Sequence, residues 1–324
     1  TAVQAFEPIQ YENKSREELV EFTKNAGLVG LGGAAFPTYV KYLKPEGITT
    51  VLINGVECEP YITADYKLMM EDPKHLVTGA LIMKKMADAK EVMICIKKSH
   101  PDLIEVVRQA AQNTGVVVRE VPDVYPMGWE RTLVREVMKK EYGSLPAEAG
   151  CIVNNAGTAI MLARMMEYGE AISMKTVTIS GQCVKKPMNV LVPVGMPVKE
   201  IFEHTGFTQD SVRLIAGGPM MGKAIPNDLF VIDRAMNALT ILDNPADNAI
   251  ACLRCGSCSD HCPAGLQPVR IAMAVKEGNT EEMERRQAMS CVECGMCTYV
   301  CPSKIDVTEN VRKAKRALAL QKKK

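Results

Sequence analysis

Eight of the twelve cysteines lie between positions 252 and 301, in two copies of one spacing. Each copy has three cysteines spaced three positions apart, then a fourth cysteine four positions on, and a proline directly after it. The copies are Cys252, Cys255, Cys258 and Cys262, and Cys291, Cys294, Cys297 and Cys301. A four-iron, four-sulfur cluster needs four thiolate ligands, and this spacing is typical of proteins that hold two such clusters. The sequence therefore predicts two [4Fe-4S] clusters.

The ligands of each cluster are predicted to come from both motifs. In two-cluster proteins with this spacing, the fourth cysteine of one motif ligates the cluster of the other. We therefore expect one cluster on Cys252, Cys255, Cys258 and Cys301. We expect the other on Cys291, Cys294, Cys297 and Cys262. Gly256 and Gly295 lie inside the two loops, where backbone amides must approach the sulfurs closely.

Two other uses of cysteine explain this pattern less well. Structural zinc also uses closely spaced cysteine pairs, but it needs four ligands, commonly as two pairs. It accounts neither for the third cysteine nor for the Cys-Pro ending of each copy. A disulfide framework is typical of secreted chains, and residues 1–10 contain no basic region followed by an apolar stretch. Iron–sulfur clusters are therefore the favoured interpretation.

Length and charge limit the remaining functions. The 324 residues suffice for two or three domains with hydrophobic cores. A net charge of +1 gives no electrostatic case for a nucleic-acid-binding or membrane-surface protein. No apolar run approaches the roughly 18 residues of a membrane helix. We expect Lys322–Lys324 to be a solvated tail, and Thr1 to be a processed start or a cut within a longer protein.

A glycine-rich loop follows the first predicted helix. That helix is predicted from Ser15 to Ala26, with Ser15 as N-cap and Glu18 completing a capping box. The loop contains Gly30, Gly32, Gly33 and then Phe36-Pro37. A dinucleotide fingerprint should follow a strand and open a helix, so a standard Rossmann NAD site is disfavoured here. A loop that lies against a phosphate or a flavin is favoured over a simple tight turn.

Alternating strands and helices predict a parallel α/β sheet in the first part of the chain. Strands are predicted at 49–54, 91–96 and 116–121, and helices at 73–87 and 102–113. Ligands bind such sheets beyond the carboxyl ends of the strands. Three polar, glycine-bearing segments are candidates for this position, namely residues 54–60, 125–130 and 151–158.

The order of these segments resembles that of a known family. The segments are GLGGAAFPTYVK at 30–41, NGVECEPYITAD at 54–65, YPMGWE at 125–130, VNNAGTA at 153–159 and GGPMMG at 217–222, followed by both cysteine motifs. Together they resemble the C subunit of the Rnf ferredoxin–NAD oxidoreductase complex. The likeness to the FMN- and NADH-binding subunit of respiratory complex I is more distant.

The resemblance implies an FMN site and an NAD(H) site with specific residues. The glycine loop, Gly30, Gly32 and Gly33, would cradle the flavin, and Lys41 would pair with its phosphate as a point charge. Contacts to the flavin or its ribityl chain are implied for Asn54 and Glu57. The nicotinamide nucleotide would face Glu59 and Glu130, with Phe36 as a stacking surface. The remaining pocket residues would be Tyr125, Gly128, Asn154, Asn155 and Thr158.

Some features depart from the family pattern. Complex I subunits carry Arg where this chain has Leu31, and Asp where it has Val56. Because both changes remove polar contacts, we expect the nucleotide to bind differently or weakly. Rnf C subunits usually have an additional N-terminal lipoyl-like domain. The sequence of residues 125–130 also differs from the one usual in Rnf C subunits. A specialised relative is therefore expected as an alternative, such as those that serve proline reductase or reduce cobalamin.

Three domains are expected in total. Residues 1–172 would form the FMN/NADH-binding α/β domain. In residues 173–236, predicted strands at 175–181, 190–194, 212–216 and 230–233 with a helix at 197–205 fit a β-grasp domain, which the resemblance implies is SLBB-like. Residues 237–324 would form a helical two-cluster ferredoxin domain, with helices at 269–277, 280–289 and 306–320.

The resemblance implies an electron-transfer oxidoreductase. Electrons would pass between NAD(H), FMN and the two clusters to a partner, in either direction. The expected partners are redox subunits of a larger complex, NADH and ferredoxin, without nucleic acid. The expected location is cytoplasmic, with any link to the inner face of the membrane made through partners. The alternative is a non-catalytic iron–sulfur adaptor that connects two redox proteins and has no working NADH site.

Overall fold

The computed structural model describes residues 3–209, 211–244 and 248–321. The chain forms two compact units. The first contains the residues up to 219 together with 223–243, and the second contains 220–222 and the residues from 244 onward. The expected solvated tail, Lys322–Lys324, lies outside the described residues.

The first unit begins with an α/β domain around a four-stranded parallel sheet. Its strands are β1 (Thr50–Gly55), β2 (Glu91–Lys97), β3 (Val117–Val121) and β4 (Cys151–Asn155). Their order is β3-β2-β1-β4, and every neighbouring pair is parallel. The predicted parallel sheet is therefore confirmed. At its carboxyl edge, Asn54 of β1 is in register with Asn155 of β4.

Six α-helices accompany this sheet. They are α1 (Arg16–Asn25), α2 (Ala64–Glu71), α3 (Pro73–Met86), α4 (Pro101–Ala110), α5 (Glu130–Met138) and α6 (Ala156–Tyr168). The capping box of Ser15 and Glu18 is confirmed at the start of α1. Helices α2, α5 and α6 were not predicted. Short 3₁₀-helices occur at Tyr11–Asn13, Thr38–Tyr42 and Pro146–Ala149.

The central strand β1 is buried on both faces. Val51 and Ile53 belong to the large core under α3 and α6, and Leu52 belongs to a smaller core on the other face. This two-sided burial is why the strand is a continuous apolar run rather than an alternating one. Helices α3 and α6 pack so closely that a Cβ at Gly79 would lie 1.9 Å from the Ala159 carbonyl oxygen.

The middle domain, also in the first unit, is a five-stranded mixed sheet with one helix. Its elements are β5 (Met174–Ser180), β6 (Met188–Pro193), α7 (Val198–Thr205), β7 (Val212–Ala216), β8 (Lys223–Ile225) and β9 (Ala238–Asp243). The strand order is β6-β5-β9-β7-β8, with β5 and β9 parallel.

One strand prediction in the middle domain was wrong. Residues 230–233 form only an isolated bridge between Val231 and Pro197, and not a strand. The last strand of the sheet is β9, which lies wholly beyond the boundary expected at residue 236. The backbone of β9 supplies the hydrogen bonds that β5 and β7 need on their inner edges.

The second unit is helical. Its elements are α8 (Ser257–Asp260), α9 (Pro268–Lys276), α10 (Thr280–Arg285), a 3₁₀-turn (Ala288–Ser290), α11 (Met296–Tyr299) and α12 (Val307–Gln321). The three longest agree with the predicted helices, although α10 is shorter. Their apolar faces, including Ile271, Met283 and Val311, enclose a small core that also contains Cys297. None of the helices in the described ranges could span a membrane.

Candidate functional site

The glycine loop is a closed turn with an accessible backbone. The Gly30 amide donates to the Phe36 carbonyl oxygen at 2.8 Å, and the Ala35 amide donates to the Gly30 oxygen at 3.2 Å. Residues 32–37 are exposed, and Gly33 has a φ of +111°, which favours glycine. Because only small side chains intervene between Gly32 and Ala35, the peptide groups of this loop are open to a ligand.

Leu31, in the middle of the loop, is held at both of its backbone groups. Its amide donates to the Thr158 hydroxyl at 2.9 Å. Its carbonyl oxygen accepts from the Lys175 ammonium at 2.8 Å. Thr158 lies in the first turn of α6, where the Asn155 side chain accepts from the Thr158 amide and caps the helix. The loop is therefore anchored to the carboxyl edge of the sheet.

A second set of contacts joins the end of β1 to the segment between β3 and α5. The Asn54 amide group donates to the Gly128 carbonyl oxygen at 2.8 Å, and the Asn54 oxygen accepts from the Val56 amide at 3.0 Å. A Cβ at Gly128 would lie 2.1 Å from the Val56 carbonyl oxygen and 3.0 Å from the Cys58 sulfur. Only glycine allows the two segments to approach so closely. Burial raises the pKa of the Cys58 thiol to about 11.

A buried charge cluster lies beneath these loops. The Glu57 carboxylate accepts from the Asp65 and Tyr66 amides at 2.9 and 3.1 Å, at the start of α2. The Asp65 carboxylate accepts from the Asn155 amide group at 2.6 Å. Burial raises the pKa of both carboxyl groups, and the negative charge of Asp65 raises that of Glu57 further. Burial lowers the pKa of Lys175, whereas nearby Asp65, Asp233 and Glu57 oppose this change.

Lys41 and Glu130 form a further charged group. The Lys41 ammonium donates to the Val153 carbonyl oxygen at 2.5 Å. Burial lowers the pKa of Lys41, and the Glu130 carboxylate opposes that change. Glu130 is the first residue of α5 and accepts from the Tyr142 hydroxyl at 3.1 Å. Tyr125, which is half-buried, precedes Pro126 through a cis peptide bond.

Three further predicted residues differ in their surroundings. Asn154 is 4% exposed, and its amide group donates to the Tyr42 hydroxyl at 2.6 Å within the core. The Glu59 carboxylate lies against Gly218 of the middle domain, where a Cβ would meet its Oε2 at 2.3 Å. Phe36 is 47% exposed at the end of the glycine loop. Of these three, only Phe36 belongs to the glycine loop.

Sequence reasoning missed three residues of this region. Asp65 and Lys175 are separated from their partners by long stretches of chain, so no local pattern marks their pairing. Trp129, the only tryptophan, follows Gly128 directly. Its indole Nε1 is buried, and the described part of the chain offers it no hydrogen-bond acceptor. A lone tryptophan in a polar, glycine-bearing segment was the one available signal.

The two cysteine loops share one backbone conformation. Arg254 and Glu293 have φ values of +57° and +56°, and Gly256 and Gly295 follow at +84° and +78°. The Arg254 amide donates to the Cys252 sulfur at 3.4 Å, and the Glu293 amide donates to the Cys291 sulfur at 3.3 Å. Backbone N–H groups directed at cysteine sulfurs tune the potentials of iron–sulfur clusters.

The first three cysteines and the last one line a single cavity. Its walls include Cys252, Cys255, Cys258 and Cys301, together with apolar side chains such as Val269 and Val307. Over residues 3–209, 211–244 and 248–321, no three His, Cys, Asp or Glu side chains converge where one metal ion would fit. Four cysteines around one cavity are the arrangement that a four-iron, four-sulfur cluster requires.

The remaining four cysteines form a second group. The pKa of Cys297 is raised to about 11, first by burial and further by the charges of Cys291, Cys294 and Cys262. Burial also raises the pKa of the Cys291 and Cys294 thiols, with Cys262 again contributing. The charge of Cys262 thus acts on all three of these cysteines, whereas Cys301 lines the cavity of the first motif. Both groups fit the donor set of a [4Fe-4S] cluster.

Three family models match the chain in order. The Nuo51 FMN-binding domain matches residues 23–164, the SLBB domain matches residues 176–224 and the 4Fe-4S dicluster domain matches residues 247–305. The predicted fold class, an α/β FMN-binding domain followed by an SLBB domain and a helical dicluster domain, is thus confirmed. The cofactors that these domains bind are FMN and two [4Fe-4S] clusters.

Curated relatives cover most of the chain. It is 35% identical over 322 residues to the C subunit of the Na⁺-translocating ferredoxin:NAD⁺ oxidoreductase complex of Acetobacterium woodii, covering 97% of this chain and 73% of the relative. The chain belongs to the RnfC family. It is 38% identical over 280 residues to the C subunit of the ion-translocating oxidoreductase complex of Rhodobacter capsulatus, covering 83% of this chain. The chain spans about half, 54%, of the length of that relative.

Solved structures of a hydrogenase have a similar fold. An NAD⁺-reducing [NiFe]-hydrogenase in the H₂-reduced state aligns with a TM-score of 0.64 at 16% identity, over 94% of this chain and 63% of that one. At this level of identity the likeness concerns the fold alone. The air-oxidised form of the hydrogenase aligns with a TM-score of 0.63.

Proposed function

We propose that this chain is an electron-transfer subunit that connects NAD(H), through FMN and two [4Fe-4S] clusters, to a partner protein. The observation that carries this proposal is the presence in one chain of an anchored glycine loop and two cross-paired cysteine groups. The relatives named as subunits of ferredoxin:NAD⁺ oxidoreductase complexes support other redox subunits and ferredoxin as partners.

The residues of the α/β domain would hold the flavin. The open peptide groups of Gly32 and Gly33 offer donors to the flavin and its phosphate, while Gly30 closes the turn that presents them. Lys41 supplies positive charge at the adjoining 3₁₀-helix. Asn54 and Gly128 fix the facing wall through their hydrogen bond. When bound, FMN exchanges electron pairs with a nicotinamide and single electrons with the clusters.

Other residues would position the nucleotide and the clusters. We assign Phe36, Glu59 and Glu130 to the NAD(H) side, with the exposed Phe36 ring available for stacking. Tyr125, Glu57, Asn154, Asn155 and Thr158 would complete or support the pocket. One cluster would be held by Cys252, Cys255, Cys258 and Cys301, which line one cavity. The other would be held by Cys262, Cys291, Cys294 and Cys297.

Anaerobic reconstitution of the full chain tests the proposal. FMN is titrated into the protein while the fluorescence of Trp129 is followed, since this residue is the sole tryptophan and adjoins Gly128. We expect quenching that saturates at one FMN per chain. Addition of NADH should then bleach the absorbance of the clusters, and a Trp129→Phe variant is the fluorescence control.

The same experiment distinguishes the adaptor. Leu31 and Val56 are buried and apolar, so their side chains offer no polar group to a nucleotide. If both clusters form but FMN does not bind and NADH has no effect, the chain is an iron–sulfur adaptor and the proposal is wrong. If FMN binds and only NADH has no effect, the flavin assignment stands and the nicotinamide site is wrong.

A further inference from the structure

The side chain of Lys175 crosses from the middle domain to the glycine loop. Lys175 is the second residue of β5, yet its ammonium donates to the Leu31 carbonyl oxygen at 2.8 Å. The residue is 6% exposed. A buried lysine is costly unless it is paired and hydrogen-bonded. The burial of Lys175 therefore calls for a reason beyond the packing of strand β5.

Acidic groups lie close to the buried ammonium. Asp65, which is 7% exposed, and Glu57 lie on the α/β-domain side, and Asp233 lies in the middle domain. Asp65 is in turn held by the Asn155 amide group at 2.6 Å. The same Asn155 caps α6, whose Thr158 hydroxyl accepts from the Leu31 amide. One continuous network thus reaches Leu31 from two directions.

Leu31 is the residue through which this network acts on the loop. It stands between Gly30 and Gly32, and glycine backbones lose more conformational freedom on ordering than any other residue. Thr158 fixes the amide of Leu31, and Lys175 fixes its carbonyl group. Without the second contact, the peptide group that leads into Gly32 and Gly33 loses its only described hydrogen-bond donor.

We propose that Lys175 is a positioning residue, which holds the glycine loop in its flavin-binding conformation so that the middle domain completes the FMN site. This inference rests on the proposed binding of FMN at the glycine loop. The middle domain then acts as part of the flavin site, and not only as a spacer. The β5 strand contributes directly to how tightly, and in what geometry, FMN is held.

The test compares Lys175→Met with the double variant Asp65→Asn/Lys175→Met in the reconstituted full chain. Lys175→Met removes the donor and leaves the Asp65 carboxylate without its cation, so it also reduces thermal stability. The double variant removes both charges and should regain much of that stability. In both variants we expect FMN to dissociate at least about tenfold more readily, because the Leu31 carbonyl has lost its donor.

The geometry of the bound flavin gives a second readout. At saturating FMN, the visible circular dichroism of the flavin should differ between the double variant and the wild type, since the loop backbone has shifted. A role in stability alone would leave that spectrum unchanged. The controls are Lys186→Met, at an exposed lysine of the same domain, and Asp65→Asn alone. Cluster iron should be unchanged throughout.

Two outcomes contradict the inference. If the double variant binds FMN as tightly as Asp65→Asn alone and gives its spectrum, Lys175 only neutralises Asp65. If Lys175→Met does not fold and the double variant folds with normal FMN affinity, the same conclusion holds. Failure of the wild type to bind FMN would instead contradict the proposed function, so the two failures are distinguishable.

Discussion

The glycine-loop site and the cysteine loops are built in opposite ways. In the cysteine loops, the sulfur-directed hydrogen bonds join residues two positions apart, and the conformation is repeated in both copies. In the glycine-loop site, Leu31 is held by Thr158 and Lys175, which lie 127 and 144 positions away. The cysteine loops are therefore encoded locally, whereas the glycine loop depends on contacts that form only in the folded first unit.

The two cysteine loops also differ from each other. Cys252 and Cys255 are exposed, whereas Cys294 and Cys297 are buried in the core of the second unit. Arg254 of the first loop is replaced at the equivalent position by Glu293, which pairs with Arg312 at 3.0 Å and with Lys315 at 2.5 Å. Exposure and local charge set cluster potentials. Equal spacing therefore gives two different electronic environments.

Serine substitutions of the two crossing cysteines have the largest expected effect. Cys301→Ser should remove the cluster held with the exposed Cys252 and Cys255, here called the exposed cluster, although Cys301 belongs to the second motif. Cys262→Ser should remove the cluster held with the buried Cys294 and Cys297, here called the buried cluster. About half of the iron should be lost in each case, since each cluster holds the same number of irons. The measurement is iron per chain, followed by the rate at which a chelator bleaches the remaining cluster.

The chelation rate decides which cluster remains. Cys301→Ser should leave the slowly bleached, buried cluster, and Cys262→Ser should leave the rapidly bleached one. A reversal of the two rates would show that each motif keeps its own fourth cysteine. Cys183→Ser, at a buried cysteine of the middle domain, is the control and should keep both clusters.

Gly128→Ala should disturb the flavin site without affecting the clusters. The new Cβ would lie 2.1 Å from the Val56 backbone oxygen, so the segments that follow β1 and β3 must separate. We expect a loss of about 3 kcal/mol in FMN binding, the upper end of the cost of overpacking. Flavin titration measures it. Gly143→Ala, whose nearest atom is the end of the Glu148 side chain, should bind FMN normally.

Thr158→Val should have a smaller effect at the same loop. The Leu31 amide loses its acceptor, and a buried donor left without a partner costs about 1–3 kcal/mol. FMN affinity and the melting temperature of the first unit should both fall. Thr158→Ser keeps the hydroxyl group and should restore both. If valine and serine behave alike, the hydroxyl does not anchor the loop.

The smallest expected effect is on the pH dependence of stability. Burial raises the pKa of Glu57 in the folded chain above its ordinary 4.5, so the folded state holds a proton that the unfolded state has released. Stability should therefore fall as pH rises above about 4.5 toward the folded pKa. Glu57→Gln should flatten this slope by on the order of 1 kcal/mol per pH unit.

Melting temperatures between pH 5 and pH 8 measure that slope. Glu46→Gln, at an exposed carboxylate, should leave it unchanged. An unchanged slope in Glu57→Gln would mean that Glu57 does not carry the proton. The effect belongs to the first unit and should be absent from the melting of the cysteine loops, which again separates the two regions.

Local patterns explain what could be predicted. The capping box of Ser15 and Glu18, strands β1 and β2 and helix α3 have their signals within a few residues, and the structure agrees with them. The strand expected at 230–233 had the right composition but no neighbouring strand to pair with along its length. Helix α6 was missed because its small residues, buried against α3, show no clear polar face.

By itself the sequence determined the two cysteine motifs, the parallel order of strands and helices, and the segments that bear the family resemblance. These depend on spacing and on periodicity, which a linear chain displays. Only the tertiary structure decided that Lys175 reaches the Leu31 carbonyl group, that Asp65 bonds Asn155 and that Asn154 bonds Tyr42 in the core. It also decided that Cys252 and Cys255 are exposed, whereas Cys294 and Cys297 are buried. Charge pairing and burial depend on which surfaces meet in the folded chain, and no local pattern records that.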